Sequence, residues 1–592
     1  MRNARTILGI IRKRGAEGKS LDQIYRMLFN PELYIAAYAK IGSNKGAMTK
    51  GVTDETVDGM SLKKIHDIIS LLRNERYKFS PARRIYIKKK NGKMRPLGLP
   101  TWSDKLLQEV MRMILEAYYE PQFSQFSHGF RPQRGCHTAL TVIAKTWTAS
   151  TWFIEGDIKG CFDNIDHEIL LHILREQIKD NRFIRLIEKL LYSGYMEEWK
   201  CHKTWSGTPQ GGIISPLLSN IYLNKLDQYV EHVLLPKYNK GKSRARNREY
   251  EVQNGIEHYN RKRGRLDISR AARKKKQTLP SKDPFDPHYR RLRYVRYADD
   301  FLLGFSGPKS EAEEIKKEIT LFLQNNLSLE VSQEKTLITH GRTDKARFLG
   351  YDIQVGQCDT FRNRKKRRSV NGDIRLLVPA DVVREHSKRY FLKGRVRRRP
   401  ELLEESDYTI VHNFQTRFRG LANYYQLACD RSKKLSRLKG IMEHSLMLTL
   451  ANKHKTWVSR IYQKYGTRCM MTNGKSYKCL QIRIDRVNKA PLTATWGGIS
   501  LARNKNYRNI VLVDEKDLLF YGRVERLKAI LASECAICGS TQNIQVHHIR
   551  ALKDLAKRGR TPTASQRRMA ARRRKTLVVC HQCHVAIHQG KL

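Results

Sequence analysis

Acidic residues are scarce in this chain. Only 57 Asp and Glu stand against 114 Lys and Arg among 592 residues, which gives a formal net charge of +57 at pH 7. This excess is larger than solubility requires, and it suits a protein that displaces counterions from a long phosphate backbone. The charge therefore predicts RNA or DNA as the partner.

Long apolar runs are also absent. No stretch approaches the roughly 20 apolar residues that span a bilayer, and the first residues lack the apolar segment of a secretory signal. We therefore expect an intracellular protein without a membrane partner. The hydrophobic fraction of 40% is nevertheless sufficient for packed cores, which excludes wholesale disorder. The length allows about three or four domains.

Cysteine is sparse outside one region near the C-terminus. Seven of the eleven cysteines are isolated, and we interpret them as small core residues: Cys136, Cys161, Cys201, Cys358, Cys429, Cys469 and Cys479. The other four form two Cys-x-x-Cys pairs, Cys535 with Cys538 and Cys580 with Cys583. Two such turns supply the four thiolates of a tetrahedral structural Zn²⁺ site. A pair of disulfides is the alternative, which a reducing compartment disfavours.

Two adjacent carboxylates, Asp299 and Asp300, separate two short apolar runs and predict the tip of a β-hairpin. Upstream, residues 152–157 predict a strand that ends in a third carboxylate, Asp157. Acids in a turn can be merely solvated. Apolar flanks would bury this pair, however, and burial is costly unless cations neutralise the charge. Three converging carboxylates suit two Mg²⁺ ions in phosphoryl transfer, so the pattern predicts a nucleic-acid polymerase.

A succession of motifs surrounds these carboxylates: KMRPLGLP at 93–100, SHGFRP at 127–132, residues 157–167, GTPQGGIISPL at 207–217, YADD at 297–300, LEVSQEKT at 329–336 and RFLGY at 347–351. In this order they resemble the reverse transcriptase blocks of group II intron-encoded proteins. With the C-terminal segments, the resemblance covers roughly residues 30–592. It implies an RNA-directed DNA polymerase in which Asp157, Asp299 and Asp300, with the Ile158 carbonyl, hold two Mg²⁺ ions.

The resemblance also implies how deoxynucleotide triphosphates are bound. Lys89 and Arg95 lie on a predicted basic hairpin that can fold over a triphosphate, although a basic hairpin can also contact the template. Phe162 stands where the family excludes a 2′-hydroxyl, and Gln210 would line the nucleotide pocket beside a glycine turn. Lys335 corresponds to a lysine that protonates or steadies the leaving group, or is simply solvated.

Helical segments frame these motifs. Ser103 or Asp104 can cap a helix whose apolar residues recur at helical spacing: Leu107, Val110, Met111, Ile114 and Tyr118. A basic insertion at about 237–291 predicts a flexible or RNA-ordered arm, with a plain solvated loop as the alternative.

After residue 370 the spacing from Val411 to Ala428 predicts a further helix. The motifs at 418–425 and 450–455 resemble the thumb, or maturase domain X. The candidates for intron RNA contacts are Arg417, Arg419, Lys453 and Lys455, although primer-template duplex would also need a basic thumb.

The last sixty or so residues contain CAIC at 535–538, VHHI at 546–549, CHQCH at 580–584 and His588. These motifs resemble an HNH endonuclease embedded in the zinc site. His547, His584 and His588 would hold a catalytic divalent ion, and His548 would be the general base. Lys575 stands where the family usually has an asparagine. The alternative makes all four histidines zinc ligands or surface residues.

The resemblance implies a multidomain α+β protein. Residues 1–370 would be right-hand polymerase fingers and palm with an antiparallel palm sheet, 371–475 an α-helical thumb, 476–530 a DNA-binding linker, and 531–592 a small zinc-stabilised ββα-type HNH domain. The implied function is reverse transcription, maturase-assisted splicing and nicking of the target strand during intron mobility.

The expected partners are the intron RNA in a ribonucleoprotein, target double-stranded DNA, and an RNA template with a DNA primer. The expected location is the cytoplasm or nucleoid of a bacterium, with an organelle as the alternative. Two other functions stay open: a non-enzymatic RNA-binding splicing cofactor, and a reverse transcriptase that serves defence or repair without an intron.

Overall fold

The computed structural model describes residues 3–44, 46–88, 92, 94–197, 200–202, 207, 211–284, 286–362, 370–470, 476–486, 489–502, 524, 527–528, 531, 533–550, 555, 563–572 and 575–592. These residues form a multidomain α+β protein. Within these ranges, no helix combines the length and the apolar character needed to cross a bilayer.

The N-terminal part is mainly helical around one hairpin. Its elements are α1 (Ala4–Ala16), α2 (Pro31–Ile41), α3 (Leu62–Arg73), β1 (Ala82–Lys88), β2 (Met94–Leu99), α4 (Trp102–Tyr119) and α5 (Cys136–Thr146). The predicted basic hairpin is present, because β1 pairs with β2 in antiparallel register. The predicted stripe of α4 is fully buried. Its cap is Thr101, whose side chain accepts from the Asp104 N–H, so the prediction of Ser103 or Asp104 was wrong.

The middle of the chain continues with strands and helices that surround an antiparallel sheet. They are β3 (Trp152–Asp157), α6 (Cys161–Asn164), α7 (His167–Gln177), α8 (Asn181–Leu191), β4 (Tyr195–Glu197), β5 (Lys200–His202), α9 (Ser215–Tyr229), α10 (Leu235–Tyr238), α11 (Arg248–Lys262), α12 (Leu266–Thr278), β6 (Arg291–Tyr297), β7 (Asp300–Ser306), α13 (Lys309–Leu327) and β8 (Ile338–His340). The strand order is β6-β7-β3-β8 in one sheet and β2-β1-β4-β5 in another.

The basic insertion contains an α-helical hairpin, so a flexible arm and the alternative of a plain loop were wrong, whereas ordering by RNA stays a prediction. Helices α11 and α12 pack against each other, and Glu257 forms an ion pair with Lys276 between them. Asn247 caps α11, whose first turn is acidic and whose last turn is basic. Capping and the helix dipole therefore favour these helices, although few apolar side chains mark a buried face.

The next part packs short strands against long helices. It contains β9 (Ala346–Phe348), β10 (Tyr351–Val355), β11 (Ile374–Leu377), α14 (Ala380–Lys388), β12 (Phe391–Leu392), β13 (Arg395–Val396), α15 (Asp407–Tyr424), α16 (Arg431–Lys453), α17 (Val458–Tyr465), β14 (Gly466–Met470), β15 (Ser476–Arg486) and β16 (Lys489–Trp496). The predicted helix after residue 410 is α15, and its apolar face is buried in a second core.

Strands β14, β15 and β16 form one antiparallel sheet that packs on α15. The sheet contains strands from both sides of the predicted boundary at residue 476. Cys469 and Cys479 lie on paired strands of this sheet and form a disulfide, so the interpretation of these two as isolated was wrong, although Cys479 is buried as expected. The hairpin that brings them together is invisible in their sequence spacing.

The C-terminal module contains β17 (Ile544–His548), α18 (Ala564–Arg572), β18 (Thr576–Cys580) and α19 (His581–His588). Strand β17 pairs with β18 in antiparallel register, and α19 follows β18 directly. The module has a small core of its own. Val546 of β17, however, packs into the large core of the N-terminal part. The two ends of the chain are therefore docked together.

Candidate active sites

Strand register places the three predicted polymerase carboxylates together. Strand β3 pairs with β7 so that Asp157 lies opposite Asp300, and Asp299 occupies the tight turn between β6 and β7. Position 156, just before Asp157, requires glycine because it pairs with Phe301, and a Cβ there would lie 2.1 Å from the Phe301 ring. The sheet thus closes tightly and presents the carboxylates at its edge.

The turn that carries the acids is held from beneath by a buried arginine. Ala298 has a positive φ of 56°, a conformation that costs free energy for a residue with a side chain. Arg296 is fully buried, and its Nη1 donates to the Ala298 carbonyl at 2.8 Å. The same guanidinium bonds both carboxylate oxygens of Asp227, at 2.8 and 2.6 Å. The ion pair therefore fixes the backbone on which Asp299 and Asp300 stand.

The carboxylates repel one another in a partly buried place. Burial, followed by the charges of Asp299 and Asp157, raises the pKa of Asp300 to about 7. Burial and the Asp157 charge also raise the pKa of Asp299, against the opposing charges of Arg95 and Lys335. Acids whose negative charge is disfavoured in this way form a suitable site for divalent cations.

Two basic residues face the same acids. Lys335 Nζ lies 2.8 Å from Asp157 Oδ2, and this bond raises the lysine pKa. Arg95 lies on β2, and its charge acts on Asp299. Ile158 is buried beside Val331, with which it forms an isolated bridge. These contacts bring both basic side chains and the Ile158 backbone to the carboxylate edge.

The remaining nucleotide-binding predictions are only partly within the described residues. Lys89 and Gln210 lie outside them. Phe162 is half-buried on α6 and meets the exposed Phe130 edge to face, with ring centroids 6.3 Å apart, so it is not a core residue. Gly211 has a positive φ of 112°, and a Cβ there would lie 2.3 Å from the Gly98 carbonyl oxygen. The glycine turn therefore approaches the β2 backbone closely.

The four paired cysteines of the C-terminal module form one cluster. Their Sγ atoms all lie within 4.8 Å of one another. In each pair a backbone N–H approaches the first sulfur, Cys538 N to Cys535 Sγ and Cys583 N to Cys580 Sγ, both at 3.5 Å. This knuckle geometry and the four-thiolate donor set fit a tetrahedral Zn²⁺ ion.

The histidines of the module form a second cluster with a carboxylate that the sequence did not predict. Imidazole nitrogens of His547, His584 and His588 lie within 4.8 Å of one another and of Asp58. Asp58 belongs to the segment before α3 and approaches them at 3.4, 3.1 and 2.8 Å respectively. Three imidazoles and a carboxylate fit a divalent metal ion.

His548 lies beside this cluster but points elsewhere. Its backbone N–H donates to Asp58 Oδ1 at 2.7 Å, whereas its ring lies 3.0 Å from the Tyr38 hydroxyl through Nε2 and 2.9 Å from the Val546 carbonyl through Nδ1. Burial lowers the pKa of His548 to about 4. The ring is thus neutral near pH 7, as a general base must be.

No pattern in the sequence indicates Asp58. It lies about 490 to 530 residues from the histidines in a loop without a recognisable motif.

The candidate RNA-binding residues of the predicted thumb differ in exposure. Arg417, Arg419 and Lys455 are exposed, whereas Lys453 is partly buried and forms an ion pair with Asp407 at 2.8 Å.

Three families match successive parts of the chain. Residues 87–259 match the family described as reverse transcriptase (RNA-dependent DNA polymerase). Residues 375–493 match type II intron maturase, and residues 535–584 match AI2M/AI1M-like HNH endonuclease. The matched ranges contain Asp157, helix α15, the four paired cysteines, and His547, His548 and His584.

Relatives match over most of the chain. The group II intron-encoded protein LtrA of Lactococcus lactis subsp. cremoris is 38% identical over 616 aligned residues, which cover 100% of both chains. An uncharacterized 91 kDa protein in the cob intron of Schizosaccharomyces pombe is 35% identical over 95% of this chain and 69% of its own. Protein YkfC of Escherichia coli is 37% identical over 56% of this chain and 83% of its own.

These matches confirm the family resemblance and the combination of activities that it implied. The chain belongs to the group II intron-encoded proteins, and it is a multifunctional enzyme with reverse transcriptase, maturase and HNH endonuclease domains.

Proposed function

We propose that Asp157, Asp299 and Asp300 are the catalytic carboxylates of RNA-directed DNA synthesis. The observation that carries this proposal is the register of β3 with β7, which sets Asp157 opposite Asp300 beside the Asp299 turn. With the Ile158 carbonyl, they would hold two Mg²⁺ ions. When bound, these ions lower the pKa of the primer 3′-hydroxyl and neutralise charge on the pyrophosphate.

The surrounding side chains would select and orient the deoxynucleotide triphosphate. Arg95 lies on the hairpin beside the acids and, with Lys89, would bind the phosphates. Phe162 would pack under the sugar and exclude a 2′-hydroxyl, and Gln210 would line the pocket. Lys335, which bonds Asp157, would steady or protonate the leaving group.

The C-terminal module would nick target DNA. His547, His584 and His588 would hold a divalent ion, which stabilises charge on the cleaved phosphate when it is bound. His548 would take a proton from the attacking water through Nε2. Cys535, Cys538, Cys580 and Cys583 would hold a structural Zn²⁺ in a small ββα-type domain, supported by the two knuckle bonds.

We also propose the finer domain division. Residues 1–370 would be fingers and palm with an antiparallel palm sheet, 371–475 an α-helical thumb or maturase domain X, 476–530 a DNA-binding linker and 531–592 the HNH domain. Strands β15 and β16 of the proposed linker form one sheet with β14 of the proposed thumb, so we expect the linker and the thumb to unfold together.

The partners would be the intron RNA, target double-stranded DNA, and an RNA template with a DNA primer. The net charge of +57 supports contact with several nucleic acids at once. In the proposed order of events, the maturase surface helps the intron splice, and the RNA inserts into one DNA strand. The HNH module cuts the other strand, and the new 3′ end then primes synthesis in a bacterial cell.

The test separates the activities in the reconstituted ribonucleoprotein. The variant with Asp299→Ala and Asp300→Ala should lose DNA synthesis but still splice and nick. His548→Ala should lose nicking alone, and Arg419→Ala should weaken splicing with little change in primer extension. An exposed acid, Asp344, offers a matched control through Asp344→Asn. No DNA synthesis by the parent, with splicing intact, would favour the splicing-cofactor function instead.

A further inference from the structure

The segment before α3 is built into the surface of the HNH module. Val57 and Met60 are buried in the same apolar core as Val546 of β17. Between them, Gly59 N donates to the Val546 carbonyl at 3.2 Å, and Val546 N donates to the Met60 carbonyl at 3.0 Å. Apolar burial and two backbone bonds therefore fix Asp58 at the histidine cluster.

The hydrogen bonds of the histidine rings in this cluster indicate a place for a cation. Gln545 Oε1 lies 2.8 Å from His584 Nδ1, while the Gln545 amide nitrogen lies 3.1 Å from His581 Nδ1. With the carbonyl accepting, a neutral His584 carries its proton on Nδ1 and can offer Nε2 as a metal ligand. This Nε2 lies 3.1 Å from Asp58 Oδ1 and 3.3 Å from His588 Nε2.

A second atom supports the same conclusion. His547 Nδ1 is buried at the cluster without a hydrogen-bond partner, although Asp58 Oδ1 lies 3.4 Å away. A largely buried carboxylate that three imidazole nitrogens approach, one of them without a hydrogen bond, is an arrangement that a shared positive ion would stabilise. The four donor atoms lie within 4.8 Å of one another, a spacing compatible with a single ion.

We propose that Asp58 supplies the fourth ligand to the HNH metal ion and so holds the nuclease closed against the reverse transcriptase domain. This inference rests on the proposed metal role of His547, His584 and His588. A catalytic site of this kind keeps one coordination position open for water or substrate. In the docked arrangement Asp58 fills that position.

The general base is held in the same closed arrangement. His548 Nδ1 faces a carbonyl oxygen, which can only accept, so Nε2 accepts from the Tyr38 hydroxyl. The lone pair needed to activate water is thus occupied by a residue of α2. Separation of β17 from the segment at 57–60 would take Asp58 away from the metal and Tyr38 away from the base. One movement would therefore free both groups.

The test uses the full chain with Zn²⁺ in the cysteine site and Co²⁺ titrated into the histidine site. The variant is Asp58→Asn, which keeps the oxygen that accepts from His548 N but loses the charged ligand. Asp54→Asn is the matched control, because Asp54 lies in the same loop with a side chain that is 91% exposed. His584→Ala removes a proposed histidine ligand.

We expect the parent and Asp54→Asn to give the visible spectrum of four-coordinate cobalt. Asp58→Asn should bind Co²⁺ at least about tenfold more weakly, with a spectrum of higher coordination as water enters. Hydrogen exchange gives a readout independent of activity. The amides of Gly59 and Val546 should exchange slowly in the cobalt-loaded parent and faster in cobalt-loaded Asp58→Asn.

Nicking of supercoiled plasmid by the cobalt-loaded proteins tests closure. Asp58→Asn should nick faster than the parent, and Asp54→Asn should match it. The inference would be overturned if Asp58→Asn and the parent had equal cobalt spectra, Co²⁺ affinity and hydrogen exchange while His584→Ala bound no Co²⁺. That result would still support the histidine site. Faster exchange without faster nicking would overturn closure. Undiminished Co²⁺ binding by His584→Ala would overturn the histidine site itself.

Discussion

Removal of the carboxylate beneath the catalytic turn should destabilise the polymerase part strongly. Asp227 and Arg296 have fully buried side chains, and the guanidinium also bonds Asn220, Ser127 and Ala298. In Asp227→Leu the arginine charge stays buried without a counter-charge. Breaking a buried pair in this way costs about 3–5 kcal/mol.

Thermal unfolding followed by circular dichroism or calorimetry measures this cost. For a unit of roughly 370 residues, each kcal/mol lowers Tm by roughly 1.3 °C, so we expect a fall of roughly 4–6 °C. Arg296→Met should cost a similar amount because it leaves Asp227 charged and buried. The double variant should be more stable than the sum of the two single effects predicts.

The same variants test the positioning role of Arg296. The double variant has lost the donor to the Ala298 carbonyl, so its DNA synthesis should fall even at temperatures where it is folded. Asp344→Asn, at an exposed turn, controls for the loss of one negative charge. A Tm of Asp227→Leu equal to that of the parent would refute the reasoning. Full DNA synthesis by the double variant would also refute it.

Three further predictions follow from the two sites. The folded state raises the Asp300 pKa to about 7, so the free energy of unfolding without divalent ions should fall as pH rises through that value. Asp300→Asn should flatten this pH dependence in Tm measurements. An unchanged slope in this variant would contradict the prediction. Cys538→Ser should lower the zinc content measured by atomic spectroscopy and unfold the HNH module first, while an unchanged content would argue against the four-cysteine site. Phe162→Ala should raise ribonucleotide incorporation relative to deoxynucleotides in primer extension, whereas an unchanged ratio would exclude sugar selection.

Local patterns predicted the elements around the polymerase site well. Short apolar runs on both sides of Asp299 and Asp300 indicated the hairpin that β6 and β7 form. Helical spacing identified the buried face of α4, although Thr101 rather than Ser103 or Asp104 provides the cap. Several residues near a helix start can cap it, and the backbone conformation decides among them.

Features that depend on the charge pattern were harder to predict. The insertion at 237–291 has few apolar residues, which predicted a flexible arm. Its helices are instead favoured by the Asn247 cap, terminal charges and the ion pair between Glu257 and Lys276. Hydrophobic periodicity carries little information when a helix hairpin buries few apolar side chains.

Long-range contacts could not be read from the sequence at all. Asp58 contacts the HNH histidines across about 490 to 530 residues, and Cys469 meets Cys479 only because β14 pairs with β15. Arg296 with Asp227 is a similar case, since the spacing of these two residues matches no motif. Each contact depends on docking or register, which the local sequence does not encode.

Primer extension on a primed RNA template tests the central claim most directly. The parent, Asp157→Asn, Asp300→Asn and the control Asp344→Asn would be compared with deoxynucleotides and Mg²⁺ under conditions where all are folded and bind template equally. The carboxylate edge predicts extension by the parent and Asp344→Asn and none by the other two. Extension by Asp157→Asn or Asp300→Asn at the parent rate would contradict it.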